Sequence, residues 1–162
     1  MVLLTKFTIM KAALLVIAVF ISSISFAQSG LSKDNAKMMI DVFFDGFHKG
    51  DTTLMRSVMV KNMRMQTVYT STDEGNKITY MRGEDFLNLI ASRPADAVWK
   101  EKLKSYDIQI DGNLATVWTP YSFYVNEQLA HCGANAFTIV NTNDGWKIYS
   151  VLDSRRVGKC EE

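Results

Sequence analysis

DGNLATVWTPYSFYVNEQLAHCGANAFTIVNTNDGW, residues 111–146, reads as turn, strand, turn, strand, turn. Asp111-Gly112-Asn113, Asn126-Glu127 and Asn143-Asp144-Gly145 supply turn residues, and the runs between them, Leu114 to Val125 and Leu129 to Asn141, are rich in β-branched and aromatic side chains. The pattern continues outward, with Trp99 to Ile110 before the first turn and Trp146 to Arg155 after the last, which predicts four antiparallel strands in a meander. Strands this long must twist and bend, and Pro120, which lacks an N–H, predicts a bulge or an edge position.

Upstream the period changes from two to 3.6. Ser32 is placed to cap a helix running through Lys49, with Ala36, Met39, Ile40, Phe43 and Phe47 on one face and Gly50 ending it. Asp51 reads as the N-cap of a short second helix, Val60 to Thr70 and Lys77 to Met81 as paired strands, and Glu84 to Ala91 as a third helix stopped by Arg93-Pro94. Helices first and long strands afterwards predict an α+β domain in which the first helix covers one face of the sheet. A bent sheet wrapped around one long helix makes a cone. Gly133, Ala134 and Ala136 leave room for a cavity near them, or for close helix packing.

Residues 1–27 contain no acid; Lys6 and Lys11 precede the apolar run Ala12 to Ile21, and small residues stand at Ser25 and Ala27. This is the pattern of a cleaved signal peptide, and the apolar run is shorter than the ~20 residues a membrane-crossing helix needs. Removing the segment leaves 16 basic and 17 acidic residues in 28–162, expected to be a single periplasmic or secreted domain. The full chain, 48% apolar and 22% charged, can bury a sizeable core, and its near-neutral charge gives no electrostatic case for nucleic acid. Membrane attachment is not expected after signal cleavage. Cys132 and Cys160 would then meet an oxidising compartment, where an even count permits one bridge; two separate thiols are the other reading, and the bridge is the expectation. No metal or cofactor site is expected: His48 and His131 are isolated, carboxylates do not cluster, and no Gly-rich phosphate loop is present.

The order of elements resembles the nuclear transport factor two-like superfamily of cone-shaped, cystatin-like α+β domains, and within it the bacterial exported SnoaL-like, "putative lumazine-binding" branch. The features that carry the likeness are Phe47-His48-Lys49-Gly50-Asp51, the run Leu114 to Tyr124, His131-Cys132-Gly133, Gly145-Trp146-Lys147-Ile148 and Asp153-Ser154-Arg155-Arg156. The resemblance implies the fold over residues 32–156 and a common tendency to form homodimers through the sheet face. It does not choose among isomerases, dehydratases, cyclases, adaptors and binding proteins.

Candidate residues follow from register. If Asp111-Gly112 and Asn126-Glu127 are the two-residue turns, Glu101 lies opposite Ser122 and Ser122 opposite His131, a row of acid, hydroxyl and imidazole on one face. Glu101 and His131 are the catalytic candidates. Each has a plainer reading, Glu101 as a solvated strand residue and His131 as an imidazole satisfied by backbone or tyrosine. Gln66, Trp99, Tyr121, Ser122 and His131 are the ligand-binding candidates, supplying aromatic surface with polar tips, while Trp146 and Ile148 read as ordinary core. His48 reads as a cationic cap on the negative end of the first helix. The first expectation is an exported domain that binds a small apolar or aromatic molecule, with no catalysis assigned. The alternative is an isomerase, dehydratase or cyclase in which Glu101 or His131 moves a proton while Tyr121 or Ser122 steadies an oxyanion.

Overall fold

The computed structural model describes residues 30–158 and residue 160; the signal-peptide expectation falls outside the described residues. Helix α1 spans Lys33–Lys49. Ser32 Oγ accepts the Asn35 N–H at 3.1 Å at its start, and Gly50, at φ 73°, ends it in the left-handed conformation that glycine adopts without a Cβ clash. Asp51 accepts the Leu54 N–H and caps α2, Thr52–Val58. Strands β1 (Met59–Ser71) and β2 (Gly75–Arg82) form the expected hairpin, and α3 (Gly83–Ala91) follows. The second half holds β3 (Trp99–Leu103), β4 (Asp107–Asp111), β5 (Leu114–Val125), β6 (Gln128–Thr142) and β7 (Gly145–Arg156).

The expected meander is present, and β1 joins it by pairing in parallel with β7, so one mixed, open sheet runs β2-β1-β7-β6-β5-β3 with β4 also on β5. Helix α1 lies on the inner face. Phe43 and Phe44 meet Phe137 edge-on at 5.8 and 6.0 Å, and Ile40, Val117, Ile139, Ile148 and Val151 complete the buried core. Full burial of each such side chain contributes about 2–3 kcal/mol. The opposite face carries the ladder row Trp118–Ala136–Leu152–Gln66–Tyr80, in which Trp118, Leu152 and Tyr80 are exposed.

Three local departures from the sequence reading set the register. Trp99 to Ile110 is not one strand. Leu103 pairs with Tyr121 but Asp107 pairs with Trp118, so the segment holds one residue more than β5 across Thr119 and Pro120, and the Lys104 N–H closes on the Pro120 carbonyl at 2.8 Å. The irregularity expected at Pro120 thus breaks its neighbour and leaves β5 continuous. The first hairpin turns on Gly112 and Asn113, because Asp111 already pairs with Leu114. The second turns on Asn126 and Glu127 as expected, both at positive φ, but Ala130 is an extra residue in β6: Tyr124 pairs with Leu129 and Phe123 with His131.

Candidate functional site

These shifts change the row that sequence proposed. Glu101 and His131 both lie opposite Phe123, not Ser122, so acid and imidazole share the inner face with a phenyl ring between them. Ser122 pairs with Cys132, is buried, and does not line the cavity. The next inner rows are Tyr121–Gly133–Arg155–Tyr69, then Thr119–Asn135–Asp153–Thr67–Thr79, then Val117–Phe137–Val151–Met65–Met81. Along the strands the inner face therefore passes from polar to apolar.

A cavity of about 610 Å³ lies over these rows, within the size range of small-molecule sites. Its apolar wall is aromatic: Phe47 and Phe86 lie nearly parallel at 6.0 Å, with Phe43, Phe44, Trp99 and Phe123 around them. Its polar wall is Glu101, His131, Asn135, Asp153 and Arg155, with Thr67 and Thr79. Of the residues proposed from sequence, Trp99, Glu101 and His131 reach the cavity. Gln66 borders it, but alternation places its side chain in the outer row with Leu152 and Tyr80. Tyr121 lies behind the wall, 2% exposed, and its hydroxyl donates to Asp153 at 2.5 Å.

Gly133, expected to help open the cavity, does something else. A Cβ there would stand 1.7 Å from the Ser154 carbonyl oxygen and 2.9 Å from the Tyr121 ring, so its bare backbone lets the β7 backbone and that ring come close. Ala134 and Ala136 fall on the alternate positions of β6, away from His131, Asn135 and Phe137. The space comes from the gap between α1, α3 and the sheet.

In the sequence, Asp153 and Arg155 stand among the features that carry the resemblance, Asn135 does not, and none of the three is a site candidate. The signal was present: taking Phe137 and Val151 as core sets the inward phase of β6 and β7, and steps of two then point His131, Asn135, Asp153 and Arg155 inward.

The chemistry centres on Glu101. Burial drives its pKa up to about 8, Asp153 adds to the rise, and the Asn135 amide and Arg155 oppose it. Below that value it is a neutral acid. Asn135 Nδ2 donates to Oε1 at 2.7 Å, which leaves the proton on Oε2. That oxygen has no partner among the described residues, and no unpartnered side-chain oxygen among them is sealed from solvent, so Oε2–H is offered to the cavity.

His131 is neutral as well: burial and the Arg155 charge hold it down to about 4, and its ring lies 4.7 Å from Phe123. Burial and the Asp153 carboxylate keep the Tyr121 phenol far above its usual range, so it remains a donor to Asp153, which also pairs with Arg155 at 3.2 Å. His48 is not the cationic cap expected. Burial lowers its pKa, and its Nε2 accepts the Glu101 N–H at 2.9 Å, which requires a neutral ring. The end of α1 is held by Arg93, which donates to the carbonyls of Phe47 and His48 at 3.0 and 2.7 Å.

Cys132 and Cys160 are bridged, with Cα atoms 5.7 Å apart, as expected. Among the described residues no three of His, Cys, Asp and Glu converge to hold a metal ion.

No curated protein matches the chain. Solved structures with the same fold include a "putative dehydratase" of the nuclear transport factor two-like family from Streptomyces avermitilis, 14% identical, with 77% of this chain and 96% of that one covered at TM-score 0.57. A nuclear transport factor two-like superfamily protein from Salmonella enterica serovar Typhimurium is 19% identical, with 80% and 96% covered at 0.58. A cystatin-like protein of unknown function from Nostoc punctiforme is 11% identical, with 78% and 95% covered at 0.58. Identities this low carry the fold and no chemistry. The family model described as "putative lumazine-binding" matches residues 32–152, from the cap of α1 into β7, and the chain belongs to that family of nuclear transport factor two-like domains.

Proposed function

We propose that this domain binds a flat, uncharged, mostly apolar molecule in the cavity, holding a hydrogen-bond acceptor on its polar edge against the Glu101 acid. The observation that carries the reading is Glu101 Oε2, an acid oxygen with no partner among the described residues, facing a cavity walled by aromatic rings. The formal charges on the wall favour a neutral guest, because Asp153 and Arg155 neutralise each other and Glu101 and His131 carry none at neutral pH. We also propose that the protein works in the periplasm or outside the cell; the leader pattern in residues 1–27 and the Cys132–Cys160 bridge support this.

Calorimetry with lumazine and quinoxaline, both flat bicycles with acceptor atoms, tests the binding. Affinity for quinoxaline, which does not itself ionise over this range, is expected to hold up to pH 7 and to fall about tenfold by pH 9 as Glu101 loses its proton. Glu101→Gln, whose amide can both accept from Asn135 and donate to the guest, should bind without that fall. Absence of binding, or a wild-type affinity level through pH 9, ends the proposal.

A second reading is proton-transfer catalysis of the isomerase or dehydratase kind, favoured by an acid of pKa about 8 beside a neutral imidazole in one cavity. Glu101→Gln separates the two. Under catalysis the variant binds but loses turnover by about 10²–10⁴-fold; under binding alone wild type turns over nothing to lose.

A further inference from the structure

Glu101 sits on β3, which ends the sheet among the described residues: β5 pairs with it on one side and no described strand on the other. The Glu101 N–H nevertheless has an acceptor, His48 Nε2 at 2.9 Å, reaching across from the last turn of α1. An edge N–H left without a partner in this half-buried place would cost free energy and loosen the strand that bears the acid. The contact also dictates the histidine's tautomer, with the proton on Nδ1 and the lone pair on Nε2. The ring is held for the task. Phe44 and Phe47 flank it at 6.1 and 5.6 Å, and the His48 carbonyl is gripped by Arg93, whose guanidinium also lies 5.9 Å over Trp99, two residues before Glu101.

We propose that His48 is the positioning residue for the acid of the cavity: accepting the Glu101 N–H in its neutral form, it holds β3 where Asn135 can reach Glu101, so a single proton on this ring decides whether the acid is presented. The inference rests on the reading above, in which Glu101 meets the guest. A protonated His48 has a donor at Nε2, and two donors facing each other cannot bond. Three elements bear on its proton: the Glu101 backbone and Asp45 on α1 favour it, while Lys100 on β3 and Arg93 in the segment before β3 repel it. Burial adds to the repulsion, so the latch is closed at neutral pH and opens on acidification below the ordinary imidazole range.

The test uses the full chain and needs no ligand for its main readout. Carbon-13 labelling of the glutamates follows the Glu101 carboxyl directly. In wild type it should titrate near 8. In His48→Phe, which keeps a ring between Phe44 and Phe47 but removes the acceptor, it should move toward the ordinary carboxylate value near 4.5 as the side chain reaches water. His48→Gln, whose amide oxygen can accept, should restore the high value. Lumazine affinity is expected to fall about tenfold in the Phe variant and to stay within about twofold in the Gln variant.

If His48→Phe melts earlier but Glu101 still titrates near 8, His48 is packing only and the proposal is wrong. Wild type provides a check free of mutation: as the His48 ring takes up its proton, the protection of the Glu101 amide, measured against its intrinsic exchange rate at each pH, should fall about tenfold while that of Phe123 does not. An unchanged Glu101 amide overturns the proposal. If neither bicycle binds wild type, the functional reading fails while the carboxyl and amide readouts still decide the role of His48.

Discussion

Glu101→Gln should stabilise the protein at pH 9 by on the order of 4 kcal/mol and leave it nearly unchanged at pH 5. Burial raises the folded-state pKa of Glu101 from 4.5 to about 8. A raised carboxyl favours folding fully below the unfolded value, and that contribution is lost as pH rises from about 4.5 through 8, where the folded protein must ionise a buried group. Glutamine cannot ionise, and its carbonyl still accepts from Asn135. Thermal melts at the two pH values check this: the variant should melt roughly 10 °C or more above wild type at pH 9 and close to it at pH 5. An equal displacement at both would show that Glu101 titrates as an ordinary surface acid, removing the donor on which the binding proposal stands. His48 and His131 work with the opposite sign. Their folded values are depressed, so their neutral burial favours folding above about 6.5, and that contribution is lost as pH falls below it.

Cys132→Ser with Cys160→Ser should lower stability by about 3–4 kcal/mol, from the loop entropy that a bridge with a sequence separation of 28 removes from the unfolded chain. In melting temperature that is roughly 10–15 °C. The bridge is placed where it matters. Cys132 pairs with Arg156 at the open end of the β6–β7 hairpin, next to His131 and just past Asp153 and Arg155, so it keeps the polar wall from fraying. Adding a reductant to wild type should reproduce the variant's melt. A melt indifferent to reductant would mean that the bridge adds nothing to the fold.

Much of the architecture was legible because it is local. Ser32, Gly50 and Asp51 act as caps where their side chains and backbone freedom place them, and β5 begins and ends at Leu114 and Val125 as read. What escaped depends on contacts between distant residues. Nothing near Val60 to Thr70 says that it will lie parallel to the last strand. Ala130 has no feature marking it as the extra residue, and neither does the one-residue excess between Leu103 and Asp107, which changes the β5 residues whose face Glu101 shares without altering composition.

The candidate site shows how two such slips combine. On the β3 side the shifted turn moves the expected partner by two residues and the excess between Leu103 and Asp107 takes one back. On the β6 side Ala130 moves it by one, and both strands arrive at Phe123, so Glu101 and His131 stay together while Ser122 leaves. Asn135 and Asp153 were passed over because their inward phase follows only after Phe137 and Val151 are known to be core. At His48 the helix end alone favours a cation, whereas the edge strand packed against it offers a donor that only a neutral ring can accept.

The parallel pairing of β1 with β7 has a kinetic consequence. Thr67 meets Asp153 only when nearly the whole length of the domain has been made, so the wall of the cavity cannot assemble as the chain emerges from its N-terminus. Until the final strand arrives, β1 and β6 each present an open ladder that another chain could fill. The pocket wall is complete only once β7 lies between β1 and β6.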